Sequence, residues 1–312
     1  MIQILQIMNK FKVIIIVLVL AILPVGCLVG PKYEKPADQN ATAFNNGPAN
    51  ADTLATVVNV KWFDLFNDDV LKDLITKGLE NNYDMKIAMA RIERTRAELG
   101  YTKADLLPAI GYSGTVNSNK ETFLPSNASA TLSWELDFWG KVRHENRAVQ
   151  NELIASEEGR KVILSSLVSD IAIAYFQLRD FDNRLIISQN TLKSRQDAYE
   201  IINQRFLAGY TSEVDNLQIE QQVAIAEATI PAIKRQITQL ENVISILIGK
   251  APGPIARGKS NSELEVANTI PVSIPSILLR NRPDVNQAEQ LYMAANERIG
   301  VAQAMRFPSF NI

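Results

Sequence analysis

The stretch "SNASATLSWELDFWG", Ser126–Gly140, decides how the rest of the chain is read. From Ala128 to Phe138 its even positions are Ala128, Ala130, Leu132, Trp134, Leu136 and Phe138. The odd ones are Ser129, Thr131, Ser133, Glu135 and Asp137. Alternation with a period of two puts one kind of residue on each face of a strand. A strand of about ten residues, apolar on one face and polar on the other, has the length and pattern of a transmembrane β-barrel strand with lipid outside and water inside. A half-buried strand in a soluble antiparallel sheet gives the same alternation, so the strand alone leaves both readings open. Tyr112, Trp134, Phe138 and Trp139 are of the type that collects at membrane interfaces. Upstream, Ile110, Tyr112 and Val116 alternate with Gly111, Ser113, Thr115 and Asn117, and a polar turn containing Asn119, Lys120, Pro125 and Asn127 joins the two runs into a hairpin. Two strands cannot close a barrel, and an open edge in hydrocarbon costs several kcal/mol per unpaired backbone group. In the membrane reading, further strands therefore come from other copies.

Beyond Gly140 the period becomes helical. From Lys141 to Ala208 there is no proline and only Gly159 to weaken a helix. At 1.5 Å per residue that is a rod of about 100 Å. The break is "FLAGYTSEVDNLQ", with Gly209 as the C-terminal stop, Ser212 as N-cap, and Glu213 and Asp215 in the first turn of a second helix. That helix runs back to about Gly249, with Pro231 expected to kink it or remove a hydrogen bond. Apolar positions such as Val162, Leu164, Leu167, Val168, Ile171, Tyr175 and Leu178 are spaced for side-by-side packing in a long antiparallel hairpin. Before the strands, Leu71, Leu74, Ile75 and Leu79 recur at helical spacing. "NDD" offers a cap and "NNYD" a break, giving a short helix and then a longer one that ends before Pro108.

The amino terminus carries its own information. Lys10 and Lys12 precede the apolar run Val13–Leu23, and "PVGC" follows, the order of a secretory signal peptide. Cys27 stands where cleavage falls and resembles the lipid-accepting cysteine of a bacterial lipoprotein, although Pro24 occupies the place where such signals usually carry leucine. An ordinary signal peptide ending near a cysteine is the alternative. Leu28 follows, with no aspartate of the kind that retains lipoproteins at the inner membrane, so the outer membrane is expected. The next stretch is rich in Pro, Gly, Asn and Asp and reads as an extended strap.

Function classes are narrowed by what the 312 residues contain. A composition of 46% hydrophobic and 21% charged residues is that of a folded protein, and a formal net charge of -2 argues against nucleic acid as a partner. One cysteine and one histidine supply neither an internal disulfide nor a His-rich metal site. His144, between Arg143 and Glu145, reads as a solvated residue. Glu135 and Asp137 are not read as a catalytic carboxylate pair, because no third polar cluster joins them and a water-lined channel accounts for acidic residues there. No catalytic residue, cofactor site or metal site is assigned.

The chain also repeats itself. Offset by 200 residues, Leu79/Leu279, Asn81/Asn281, Asp84/Asp284, Ala88/Ala288, Gly100/Gly300, Ala104/Ala304 and Pro108/Pro308 are identical. By that register "FPSFNI" opens a second strand pair corresponding to "LPAIGY", with roughly 140 residues of a second copy expected beyond it. The organisation read from the sequence is a signal peptide at 1–26, a lipidated extended segment at 27–60, a helical equatorial segment at 61–108 and a transmembrane β-hairpin at 109–139. A long periplasmic helical hairpin at 140–250, a linker at 251–273 and the start of a second repeat at 274–312 complete it.

Taken in order, "CLVGPKYEKP", "WFDLFND", "SWELDFWGKVR", "RFLAGYTSEVDNLQ", "LLRNRPDV" and "ANERIGVAQAMRFPSF" resemble the outer membrane factor family of tripartite efflux pumps. These are the TolC-like channel-tunnels, and the likeness is to their lipoprotein subgroup, which partners resistance-nodulation-division (RND) transporters. The resemblance implies a mostly α chain with a membrane β-hairpin: the long helical hairpin builds an α-barrel tunnel and the strands join a trimeric transmembrane β-barrel. It further implies a homotrimer in the outer membrane of a Gram-negative bacterium, lipid-anchored at Cys27, working with a periplasmic adaptor protein and an inner membrane RND-type pump. Its activity would be passive export of small molecules, with no enzymatic step. Ser129, Thr131, Ser133, Glu135 and Asp137 would face the lumen, and Phe206, Gly209, Tyr210, Thr211 and Ser212 would belong to an adaptor-docking tip; the alternative for each tip residue is a simple helix-capping role. The family's gate is formed largely by a second hairpin, so no gate residue is assigned. Two other readings stay open: a type I secretion exit duct, or a periplasmic coiled-coil adaptor or structural lipoprotein.

Overall fold

Asp68 starts the first helix of the computed structural model by accepting hydrogen bonds from the backbone N–H groups of Val70 and Leu71, at 2.9 and 3.2 Å. This helix, α1, is Asp69–Asn81. Asn82 then does two tasks: its Oδ1 caps α2, Tyr83–Ala104, by accepting from Asp84 N and Met85 N, while its Nδ2 donates to the Leu247 carbonyl. The strands are β1, Ala109–Asn119, and β2, Thr122–Ser133, followed by the two-residue β3, Glu135–Leu136. Helix α3 spans Lys141–Leu207, α4 spans Glu213–Leu247 and α5 spans Pro283–Ala304, and the short β4, Phe310–Asn311, comes last. The structure describes residues 28–35, 68–119, 122–258 and 279–312. The signal peptide, Cys27, most of the strap and most of the linker read from the sequence lie outside the described residues.

The described residues belong to two compact units, one taking 28–35, 90–119, 122–159 and 282–312, the other 68–89, 160–258 and 279–281. In the second unit Leu71, Leu74 and Ile75 of α1 pack with Leu167, Ile171, Tyr175 and Leu178 of α3 and with Ile244 of α4. Gly78 lets α1 approach α3, since a Cβ there would lie 2.5 Å from Ile171 Cδ1. Tyr175, fully buried, donates to Asp68 Oδ2 at 2.8 Å and accepts from Gly258 N at 2.9 Å. Burial, reinforced by that bond to Asp68, pushes its hydroxyl up to about 12. Part of what reads as a linker is thus fastened down: Ile255 enters the core, and Arg257 donates to Asp182 and Glu241 at 2.9 and 2.7 Å. Helix α4 continues across Pro231 without a break.

In the first unit β1 and β2 pair antiparallel from Ala109↔Ser133 to Asn119↔Thr122. The pairing runs through the region expected to be a turn. The register shifts where Thr115 faces Asn127 and Val116 faces Pro125, leaving Ser126 unopposed. Proline cannot donate to a ladder, and a bulge beside it absorbs the mismatch. At the other end the strand changes partner. Trp134 exchanges backbone hydrogen bonds with Ile312 at 3.1 and 2.9 Å, and β3 pairs with β4 instead of β1.

Candidate channel wall and docking tip

The two faces of the hairpin are sorted as the alternation requires. On one, Ile110 stands opposite Leu132 and Tyr112 opposite Ala130; Ile110, Tyr112 and Leu132 are 79%, 93% and 64% exposed. On the other, Gly111 faces Thr131 and Ser113 faces Ser129, with the two serine hydroxyls 2.7 Å apart. Ser133 ends the row opposite Ala109.

Glu135 and Asp137 have partners that the alternation did not disclose. Glu135 is on β3 and accepts from Lys141 Nζ at 2.6 Å. Asp137 lies past the strand, where its carboxylate accepts from Val142 N at 3.2 Å, from Arg143 N at 3.0 Å and from Arg143 Nε at 3.1 Å. It thereby satisfies free N–H groups in the first turn of α3 and meets the positive end of the helix dipole. The sequence signal was present, an acid four residues before the helix start, but it was absorbed into the strand period. Gly140, at φ +83°, makes the turn between strand and helix.

Aromatic rings gather at the base of the strands. Trp139 stacks on Phe307 at 4.6 Å, and Phe138 meets Phe310 edge-on at 5.3 Å. Trp134 and Trp139 donate their indole N–H groups to the carbonyls of Leu106 and Pro308, in the turns that follow α2 and α5. Large apolar rings whose polar handles are tied to backbone carbonyls suit a boundary between apolar and wet surroundings.

His144 corrects the sequence reading. It is 3% exposed, its Nδ1 is 2.5 Å from Glu297 Oε2, and its ring presses on Gly300 so closely that a Cβ there would lie 2.6 Å from it. Its charged neighbours in sequence point elsewhere because successive residues of a helix are about 100° apart: Arg143 turns to Asp137 and Glu145 to Arg298. Its Nε2 has no hydrogen-bond partner among the described residues. The strap crosses the same place. Gly30 lies against Gly300, the Pro31 carbonyl accepts from Asn296, and Tyr33 and Lys35 both donate to Glu289, at 2.9 and 3.1 Å. Only tertiary packing reveals these contacts, since the strap has no periodicity to read.

At the turn between α3 and α4, Gly209 has φ +78° and the Tyr210 N–H returns to the Arg205 carbonyl at 2.8 Å, closing α3. Ser212 caps α4 in a reciprocal box with Asp215, whose carboxyl is held below its ordinary value chiefly by the Ser212 hydroxyl. Tyr210 is 83% exposed, Phe206 and Thr211 are half-buried, and Thr211 Oγ1 finds no partner among the described residues. The structure adds Leu207, Val214 and Leu217 to this tip, all exposed apolar residues that the capping pattern had hidden.

The described residues thus hold a strand pair with one apolar and one polar face and, after it, two long helices joined by a capped turn. The chain matches the family described as "Outer membrane efflux protein" over residues 74–250, and it belongs to that family. It is 31% identical over 300 residues to the cation efflux system protein CusC of Escherichia coli K12, covering 92% of this chain and 64% of that protein. A probable outer membrane lipoprotein of Salmonella typhimurium, SilC, is 29% identical over 299 residues, with coverage of 92% and 64%. Among solved structures, the open state of the MtrE outer membrane channel of Neisseria gonorrhoeae superposes with a TM-score of 0.76 at 27% identity, covering 91% of this chain and 65% of that one. The chain therefore spans about two thirds of the length of these relatives.

Proposed function

We propose that this protein contributes one protomer's wall to a passive outer membrane exit duct of a tripartite efflux pump, anchored by lipid at Cys27. The observation that carries the reading is the two-faced hairpin Ala109–Ser133, whose apolar row is exposed and whose polar row is cross-linked by hydroxyls, in a chain of the outer membrane efflux protein family. Hydrocarbon accepts the first row and a water-filled bore the second. Closure of the barrel needs strands from other copies, which supports a homotrimer, and the bare tip supports docking of a periplasmic adaptor that connects to an inner membrane pump. Ser129, Thr131 and Ser133 line the bore. Glu135 and Asp137 mark its lower rim, where their charges are partly spent on Lys141 and Arg143. Movement through such a bore forms and breaks no bonds. The relatives named for cation efflux and for an outer membrane lipoprotein support the export and anchoring parts of the reading.

The test is reconstitution. Purified in detergent and added to planar bilayers, the full protein is expected to form trimers with stepwise conductance, and Ser129→Lys to shift selectivity toward anions. A protein that stays monomeric and soluble without detergent overturns the reading.

A further inference from the structure

Helix α3 opens against the usual chemistry of a helix start. The amino-terminal end of a helix dipole is positive and favours acidic residues in the first turn. The first turn of α3 has none, and Lys141 and Arg143 stand there instead. Each cation meets an acid six positions earlier, on the other side of the Gly140 turn: Lys141 Nζ lies 2.6 Å from Glu135 Oε1, and Arg143 Nε lies 3.1 Å from Asp137 Oδ2. Glu135 and Asp137 end the polar row of the sequence alternation, and the members before them, Ser129, Thr131 and Ser133, carry no charge.

The two pairs are not equivalent. The Asp137 side chain is 11% exposed and is engaged by the α3 backbone as well as by Arg143. The side chains of Glu135 and Lys141 are 34% and 33% exposed, so solvent reaches both. Across the ladder Glu135 is paired with the neutral Asn311, and Lys141 is the cation that the described residues bring within reach of it. A lysine placed where the helix dipole disfavours it thus cancels the charge of an acid at the end of the polar row. We propose that Lys141 sets the charge selectivity of the duct at the lower rim of its barrel. Paired with Glu135 it keeps the rim neutral, and that stretch passes solutes of either sign. The assignment rests on the duct reading, which puts water along the polar row. In a closed barrel the rim recurs in every copy, so one substitution changes the charge of a whole ring. Such a ring acts on ions that pass within about a Debye length, about 8 Å at physiological salt.

Reversal potentials of single channels of the full protein, measured in planar bilayers under a potassium chloride gradient, test it. Lys141→Met frees Glu135 and is expected to raise the ratio of cation to anion permeability about twofold over the wild type. Lys141→Gln, which keeps a polar side chain, serves if that variant does not assemble. Glu135→Gln frees Lys141 and is expected to lower the ratio by a similar factor, and the double variant returns to the wild-type value. Ser129→Lys, which adds a charge to the polar row itself, reports on the duct reading separately. Channels whose ratio responds to Ser129→Lys but to neither single variant of the pair overturn the proposal and leave the duct standing. A wild type without stepwise conductance overturns the duct reading and this assignment with it.

Discussion

Helices α2 and α5 begin from a cap at positions 82 and 282, keep glycine at 100 and 300, and unwind into the same turn, in which the residue at 106 or 306 donates to the carbonyl at 103 or 303. Their surroundings differ. α2 buries a narrow stripe and leaves the rest of its surface bare, with Tyr101 73% exposed, whereas α5 buries Ala294, Gly300 and Ala304, with His144 of α3 and Gly30 of the strap against Gly300. Start, length and stop are therefore properties that each helix carries in its own residues, through caps, breakers and backbone hydrogen bonds. Which face is covered is a property of the neighbours. Gly300 illustrates the second case, since it has His144 and Gly30 against it, while Gly100 has nothing within 4 Å.

The largest expected difference between the two helices follows from that pair. Gly300→Ala sets a methyl against an imidazole pinned by Glu297, and overpacking of that kind is expected to cost about 2–3 kcal/mol. Gly100→Ala, in open space, is expected to stabilise by about 0.5–1 kcal/mol through helix propensity alone. Urea titrations of both variants check the contrast, and equal midpoints would erase it.

Caps come next. Asn82→Ala removes the hydrogen bonds to Asp84 N and Met85 N and is expected to cost about 1–2 kcal/mol. Arg282→Ala removes no side-chain cap bond, because among the described residues the Arg282 side chain pairs with Asp284 and not with the helix backbone. It should leave the same melting curve nearly unchanged, since an ion pair in open solvent is screened.

A smaller, pH-dependent difference belongs to the strap. The Lys35 ammonium, helped by the Tyr33 hydroxyl, holds the Glu289 carboxyl below its ordinary 4.5. A depressed carboxyl stabilises the docked strap fully above that ordinary value and loses the contribution as pH falls through the lowered one. The Val29 amide, bonded to the Trp139 carbonyl, is therefore expected to exchange faster at pH 3 than at pH 7 after correction for intrinsic rates, and less so in Lys35→Met. The equivalent residue on α2 is Met89, which has nothing to titrate.

The smallest effect concerns Arg298, half-exposed between Glu145 and Glu152. Arg298→Met should cost at most about 1 kcal/mol and lose its effect in high salt. A cost well above that, unchanged by salt, would mean that the arginine holds α5 to α3 by packing.

Legibility in the sequence follows the range of the interaction. The stop at Gly209 and the Ser212–Asp215 box were readable because they join residues no more than a few positions apart. The same is true of the alternation that places Ser129, Thr131 and Ser133 on one row and Ile110, Tyr112 and Leu132 on the other. Pro125 and Asn127 misled the reading of a turn, since a bulge lets a strand absorb them. Asp137 misled it differently, because its period matched the strand while its carboxylate served the helix. The tip residues Leu207, Val214 and Leu217 carry apolar side chains that no local rule marks as bare.

By itself the sequence determined the mostly helical chain, the two-faced strand pair, the long hairpin and the 200-residue repeat, because each is written in spacing, and spacing acts between neighbours along the chain. Only the tertiary structure decided that His144 is enclosed, that the strap lies across α5, that Arg257 clasps Asp182 and Glu241, and that α2 and α5 are covered on different faces. Those outcomes depend on segments more than a hundred residues apart, or on several elements meeting at one point. Burial there is set by which surfaces meet and not by what any one segment prefers.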